Sequence, residues 1–367
     1  MMQATGGSVR RFSYLIDTSH EFRDNNPTMV SGFWKKLKRP IFALAPMANV
    51  TDAAFRFMIA KYGKPDVTWT EFVSCDGLMS EGRENILIDL KYDETERPIV
   101  AQIFGSKPEN FYKTALFLQE LGFDGIDINM GCPDKNVEKQ GAGASLMKDP
   151  KLAAEIIRET KRGAGKLPVS VKTRIGYKSN DLKTWLPYLL ECEPAAITIH
   201  ARTRKEMSLV PARWEHVAEA VQIRDAYDSS KDKTLILGNG DISSAEDGYQ
   251  KAIMTGADGV MVGRGIFGDP WFFSNIRELK KGNIVTPYVN LEQKLHAMVE
   301  HTYLYEKLLL EHKNFDLMKK HFKAYVNGFK GAKELRIKLM TEAPNANEVE
   351  KVVKEFLKKH QPLVAAK

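Results

Sequence analysis

Cys132 stands between Gly131 and Pro133, just beyond an apolar segment, where a tight turn can aim a side chain into a pocket. A thiol of ordinary pKa, ~8.5, stays largely protonated at neutral pH and can serve as a general acid. Burial in an apolar cleft would raise that pKa and keep the proton in place. A lone cysteine is otherwise a small hydrophobe, the reading given to Cys75 and Cys192. Lys172 and His200 each alternate with apolar neighbours, so both point to the inside of the fold. A buried lysine needs an acceptor or an anion to offset its desolvation. A reduced flavin provides one, carrying negative charge near N1 and the C2 carbonyl. Gln102 can both donate and accept, which suits the imide edge of such a ring. For His200 the competing reading is a hydrogen-bonded core histidine.

Gly238-Asn239-Gly240-Asp241 and Gly263-Arg264-Gly265 each follow an apolar segment near the end of the alternating region. Glycine lets backbone N–H groups approach an oxyanion, and a nearby helix start adds a favourable dipole. Either segment alone reads as a tight turn; the two together favour a phosphate site, to which Arg264 could add charge. The same segments deliver no His/Asp/Glu cluster with metal-ligand geometry and no pair of carboxylates. Neither a metal nor glycosidase-type chemistry is expected.

These residues need elements that bring them to one place. Short β-rich segments at 40–48, 67–75, 98–105, 125–133, 168–176, 196–203, 234–242 and 259–267 alternate with helical patterns at 51–62, 108–121, 150–162, 181–191, 213–228 and 243–255. Only the interval 76–97 is ambiguous. Ser243 followed by Glu246 reads as a capping box. Nearly continuous apolar strands imply burial on both faces, the habit of parallel sheets. Eight such units over ~230 residues predict an α/β fold, a (β/α)8 TIM barrel, with the site at the C-terminal ends of the strands; a doubly wound sheet is the alternative. Beyond Asp269 the pattern turns helical, with candidates at 291–310, 316–329 and 347–359. The expected division is an N-terminal extension at 1–38, a barrel at 39–281 and an all-helical domain at 282–367, with Gly282 and Pro287 breaking the chain at the junction.

The 367 residues are 43% hydrophobic and 28% charged, a globular balance that excludes a mainly disordered chain. No apolar run approaches the ~18 residues of a membrane-spanning helix, and the first residues lack the apolar stretch of a signal peptide. Three widely spaced cysteines fit neither a disulfide framework nor a Cys-Cys metal site, and point to a reducing, cytoplasmic setting. The net charge is +7, of which the stretch from Arg277 to Lys338, with 13 basic and 7 acidic residues, supplies nearly all. Such a bias is either a solvated helical surface or the footprint of a polyanion.

Taken together the motifs resemble those of the tRNA-dihydrouridine synthases. Ala45-Pro46-Met47-Ala48 with Thr51-Asp52 and Phe55-Arg56 is similar to the family's opening motif, and Asn129-Met130-Gly131-Cys132-Pro133 to its active-site motif. Gly141-Ala142-Gly143-Ala144-Ser145-Leu146, Val171-Lys172-Thr173-Arg174, Ile199-His200-Ala201-Arg202-Thr203 and the two glycine segments follow in order, and His321-Phe322 through Leu335-Arg336 extends the likeness into the tail. Met207-Ser208-Leu209-Val210-Pro211 stands where the family has a tyrosine- and glycine-containing loop.

The resemblance implies an FMN-binding barrel, a helical tRNA-binding domain, and NADPH as reductant. Pro46, Met47 and Ala48 would line the flavin; Gln102, Lys172 and His200 would bond its ring; Asn239, Gly240, Asp241, Gly263 and Arg264 would hold the ribityl phosphate end. Cys132 would protonate C5 of a uracil ring while hydride reaches C6, with Asn129 and Arg202 contacting substrate. A uridine in a tRNA loop can be splayed out of its stack, whereas one in a duplex would cost unpairing as well. Lys319, Lys320, Lys323 and Lys330 fall largely opposite Met318, Phe322, Val326 and Phe329, so one face would pack and the other meet phosphate. Nothing demands more than a monomer. Two other readings stand beside this one: a flavin dehydrogenase of free dihydropyrimidines, similar to dihydroorotate dehydrogenase, and a non-catalytic RNA-binding protein on a relic barrel.

Overall fold

The computed structural model describes residues 32–228, 233–283 and 289–360. Eight parallel strands, β1 (Ile41–Leu44), β2 (Thr68–Ser74), β3 (Ile99–Phe104), β4 (Gly125–Met130), β5 (Val169–Arg174), β6 (Ala196–His200), β7 (Leu235–Asn239) and β8 (Gly259–Val262), lie in the order β1-β8-β7-β6-β5-β4-β3-β2. A bridge between Ala43 and Val67, with the Leu44 N–H bonded to the Val67 carbonyl at 3.0 Å, joins the two ends of that order. The expected (β/α)8 barrel is present. Every residue of β1, β4, β7 and β8 is buried, because inward side chains fill the barrel and outward ones meet the helices. Gly259 makes the β1–β8 seam possible: a Cβ there would sit 2.3 Å from the Ile41 carbonyl oxygen.

Helices Ala53–Gly63, Pro108–Glu120, Pro150–Ala164, Leu182–Leu190, Glu215–Tyr227 and Ala245–Thr255 surround the strands, close to their expected positions. Asp52 caps the first, accepting from the Phe55 N–H at 2.9 Å, and Asp149 caps the helix that Pro150 opens. The capping box expected at Ser243 and Glu246 is displaced by one residue. Ser244 is the cap and accepts from the Asp247 N–H at 3.1 Å, while Glu246 accepts instead from Asn275 Nδ2 at 2.6 Å. The ambiguous interval after β2 holds a short helix, Cys75–Leu78, and three 3-10 turns. It shows no helical apolar period because polar anchors hold it. Arg56 and Glu96 form a fully buried ion pair at 2.6 Å, and Arg56 also donates to the carbonyls of Thr51 and Lys91.

The end of the N-terminal lead has a structural place. Trp34, in the 3-10 turn Gly32–Lys36, is buried against Trp69 inside the barrel, ring centroids 5.9 Å apart. Residues 1–31 lie outside the described residues, as do residues 284–288 with the expected break at Pro287.

The chain beyond the barrel is helical, as expected, with helices Leu291–Leu309, Met318–Tyr325, Ala332–Thr341 and Ala346–His360. The single helix expected over 316–329 stops at Tyr325; Gly328 and Gly331 follow with φ of +77° and +85°, a region open to glycine. Ala332–Thr341 was not expected, because its charged sequence has only a thin buried stripe, Ala332, Leu335 and Leu339. The helical region shares a core with the barrel. Ala53, Ala54 and Met58 belong to the same cluster as Leu295, Met298, Tyr305 and Phe322. Among the described residues no helix is long and apolar enough to cross a membrane.

Candidate active site

At the C-terminal ends of the strands lies a cavity of about 690 Å³. β1 brings Ala45, Pro46 and Met47 to its wall; β3 brings Gln102; β4 brings Asn129, Gly131 and Cys132; β5 brings Lys172 and Arg174. β6 contributes His200 and Arg202, β7 Asn239, Gly240 and Asp241, and β8 Gly263 and Arg264. Strands with period-two side chains and matched register explain the convergence. Asn129 pairs with Lys172 across β4 and β5, and His200 with Asn239 across β6 and β7.

Cys132 sits in a tight turn held from two sides. Asn129 Oδ1 accepts the N–H groups of Gly131 at 3.1 Å and Cys132 at 2.9 Å, and the Cys132 carbonyl accepts the Ala144 N–H at 3.0 Å. Gly143 permits the second contact. Its φ is +61°, and a Cβ there would lie 2.8 Å from the Cys132 carbonyl oxygen. Burial pushes the Cys132 thiol pKa up, against the pull of a backbone hydrogen bond from Asp134 and the charges of Arg174 and Lys172. The thiol is therefore protonated at neutral pH.

Lys172 is half-buried and donates to Asn239 Oδ1 at 3.2 Å. Desolvation, reinforced by repulsion from Arg174, lowers its pKa to about 8; Asp127 opposes the shift. His200 is held neutral, its pKa pushed well below the usual value by burial and then by Lys172, Arg174, Arg202 and Arg264. Arg202 Nη1 lies 3.2 Å from His200 Nε2. A guanidinium can only donate, so Nε2 accepts and the imidazole proton resides on Nδ1. Arg202 also donates to the Val210 carbonyl at 2.6 Å and to Asp241, whose second oxygen lies 3.5 Å from Arg264. The Arg202 hydrogen bond, more than any other influence, lowers the Asp241 carboxyl pKa.

The glycine segments divide by role. A Cβ at Gly238 would meet the Trp214 ring at 2.2 Å, and one at Gly265 the Ile242 carbonyl oxygen at 2.1 Å, so both serve packing, Gly265 while also lining the cavity. Gly240, at φ +125°, serves the turn as well as the cavity wall. Gly263 differs. A Cβ there would meet nothing nearer than Met47 Sδ at 3.6 Å, leaving its backbone open beside the cavity.

The structure thus gathers Cys132, Asn129, Gln102, Lys172, His200, Arg202 and both loop ends, as the sequence led us to expect. Ala48 is exposed one residue beyond the wall. The four lysines lie in the helical region, away from the cavity. Lys319 pairs with Asp316 at 2.8 Å, Lys320 is half-buried within reach of the charges of Asp52 and Glu71, and Lys323 and Lys330 are exposed. Sequence reasoning gave no role to Arg174. It lines the cavity beneath Cys132 and donates to the carbonyls of Gly131 at 2.7 Å, Thr203 at 3.1 Å and Met207 at 3.0 Å. Its place two residues after Lys172 on one strand was the available signal. Among the described residues no group of three or more His, Cys, Asp or Glu side chains could hold a metal ion.

The family model described as dihydrouridine synthase (Dus) matches residues 43–361, which span the barrel, the cavity and the helical region. The chain belongs to the dihydrouridine synthase family. Among curated proteins, one from Bacillus subtilis (strain 168) named probable tRNA-dihydrouridine synthase 2 is 40% identical over 334 residues, covering 90% of this chain and 98% of its own. A probable tRNA-dihydrouridine synthase of Staphylococcus aureus (strain COL) is 42% identical over 314 residues, 85% of this chain and 92% of its own. The dihydrouridine synthase match therefore takes in every strand end that reaches the cavity, and the helical region that follows.

Proposed function

We propose that this chain reduces uridine in tRNA to 5,6-dihydrouridine, using FMN as cofactor and NADPH as reductant. The observation that carries the reading is a protonated thiol, Cys132, sharing one cavity with the half-buried cation Lys172. The names of the relatives support tRNA as substrate.

The residues present fit FMN. The cavity volume lies within the range of cofactor sites. Lys172 has three donors and a single hydrogen-bond acceptor among the described residues, so an anion in the cavity would meet the others. Open backbone at Gly263 and the charge of Arg264 suit a phosphate at the β7–β8 side. In this reading Pro46 and Met47 line the ring with Gln102, Lys172 and His200 around it, and Asn239, Gly240, Asp241, Gly263 and Arg264 hold the phosphate end. Bound and reduced, FMN supplies the hydride that adds to C6 of the uracil.

Cys132 donates its thiol proton to C5, so the C5=C6 double bond becomes single with one hydrogen added at each carbon. Neutral His200 keeps a donor and an acceptor without adding charge. Asn129 fixes the Cys132 turn and meets the substrate, and Arg202, braced by Asp241 and Val210, offers its remaining donors. The helical region after residue 281 binds the tRNA backbone, with Lys323 and Lys330 foremost. The test is incubation of an unmodified tRNA transcript with the protein, FMN and NADPH, followed by mass spectrometry of its nucleosides. Dihydrouridine in the tRNA is expected. Reduction of free pyrimidines with the tRNA unchanged would favour a dihydropyrimidine dehydrogenase instead.

A further inference from the structure

Below the cavity, four side chains from three neighbouring strands form one line of hydrogen bonds. Ser170 Oγ donates to Asp127 Oδ1 at 2.5 Å, and Gln102 Nε2 donates to Asp127 Oδ2 at 2.7 Å. Asn129 Nδ2 then donates to Gln102 Oε1 at 3.0 Å, and Asn129 Oδ1 receives the N–H groups of Gly131 and Cys132. The register places these groups together, since Gln102 pairs with Asp127 and Asp127 with Ser170. Asp127 is fully buried and does not line the cavity.

We propose that Asp127 is a positioning residue that sets the direction of this line and, through it, holds the turn carrying the Cys132 thiol. An ionised carboxylate only accepts, so it must face the amide nitrogen of Gln102. Turning that amide over would set its oxygen against the carboxylate and its NH2 against the NH2 of Asn129. Two buried hydrogen bonds would be broken at once. The orientation of Gln102 therefore dictates that of Asn129, whose oxygen is left for the turn. Burial raises the Asp127 pKa to about 6 on balance, against the lowering pull of the Ser170 and Gln102 hydrogen bonds and of the Lys172 charge, so the carboxylate form prevails at neutral pH. Fully satisfied buried networks specify one arrangement; partly satisfied ones do not.

The inference rests on Cys132 being the acid of the proposed reaction, but its test needs neither flavin nor tRNA. Cys75 and Cys192 are buried and Cys132 is partly exposed, so alkylation of the flavin-free protein by iodoacetamide reports the Cys132 turn. Asp127→Ala and Asn129→Ala should each raise the alkylation rate about fivefold or more, and the double variant should rise no further than the larger single. Asp127→Asn can still accept from Gln102 and donate to Ser170, and should stay within about twofold of the unaltered protein. If Asp127→Ala does not fold, Gln102→Met breaks the line one step later and must give the same rise. An unchanged rate in either interrupting variant, or effects that multiply in the double variant, would overturn the proposal. Separately, a protein that reduces no tRNA uridine while the coupling holds would remove the proposed reaction and leave the relay standing.

Discussion

Lys313, from the helical region, donates to Glu71 Oε2 on β2 at 2.6 Å and pairs with Asp89 at 2.6 Å. The other Glu71 oxygen receives the N–H of Asn49, which follows the cavity-lining Pro46 and Met47 and holds a positive φ of 56°. A single buried carboxylate thus ties the β1 turn to the helical region. Both side chains of the pair are nearly inaccessible, 10% for Lys313 and 4% for Glu71. Removing one partner of such a pair leaves a charge buried without its counterion, which typically costs ~3–5 kcal/mol. Burial raises the Glu71 carboxyl pKa to about 7 even beside Lys313, so without that partner Glu71 takes up a proton. Lys313→Met should therefore lower stability to urea by less, ~1–3 kcal/mol at neutral pH. A loss below ~1 kcal/mol would show that the pair is screened by solvent after all.

The junction carries a second energetically costly feature. Both ring nitrogens of His301, and Nε2 of His321, have no hydrogen-bond partner among the described residues, and the two rings meet at 4.8 Å between Phe55 and Tyr325. Burial depresses the His301 pKa to about 3 and that of His321 well below its usual value. The unfolded chain takes up protons near ~6.5 while the folded one does not, so stability falls as the pH drops from that value toward 3. His301→Leu should shrink the difference in melting temperature between about pH 7.5 and pH 5. An unchanged difference would place the acid sensitivity elsewhere.

Lys172 gives the flavin reading its own pH signature. Its ammonium is lost as the pH rises through about 8 in the free protein. FMN affinity should therefore fall across that range, and Lys172→Ala should bind FMN roughly tenfold more weakly with that limb absent. Fluorescence titration of the apoprotein reads both. A Lys172→Ala variant with unchanged affinity would separate Lys172 from the cofactor.

The helical region should meet tRNA through phosphates. Removing one lysine–phosphate pair lowers the log–log salt slope by ~0.7 to 0.9. Lys319 is engaged by Asp316 and Lys320 is half-buried, so most of the change in a fourfold Lys→Gln variant should appear already in Lys323→Gln/Lys330→Gln. Equal slopes for the double variant and the unaltered protein would place the tRNA backbone away from these two lysines.

Much of this was legible because strand ends carry their own chemistry. Period-two alternation placed Lys172 and His200 inside, the donor-and-acceptor amide singled out Gln102, and the glycine segments marked β7 and β8. What escaped is what depends on partners distant in sequence. Asp127 reads as one acid in a strand until Gln102 and Ser170 are seen to bracket it from β3 and β5. Trp34 offered no periodicity, since a single side chain plugs the barrel. The helix Ala332–Thr341 escapes notice in the sequence because Ala332, Leu335 and Leu339 make a thin stripe in a charged run, and the apolar residues Val326 and Phe329 carry a helical pattern past the helix end at Tyr325 and across Gly328. Gly238 and Gly265 are needed for close packing against Trp214 and Ile242, contacts that no local sequence pattern announces.

The central claim is that Cys132 delivers the proton to a tRNA uridine. The direct measurement is single-turnover reduction of saturating tRNA by the pre-reduced protein, comparing Cys132→Ala with the unaltered chain at equal flavin content. General acids contribute ~10²–10⁴-fold, so the variant should be slower by that order while its flavin is still reduced by NADPH at the original rate. Equal single-turnover rates for tRNA would contradict the account.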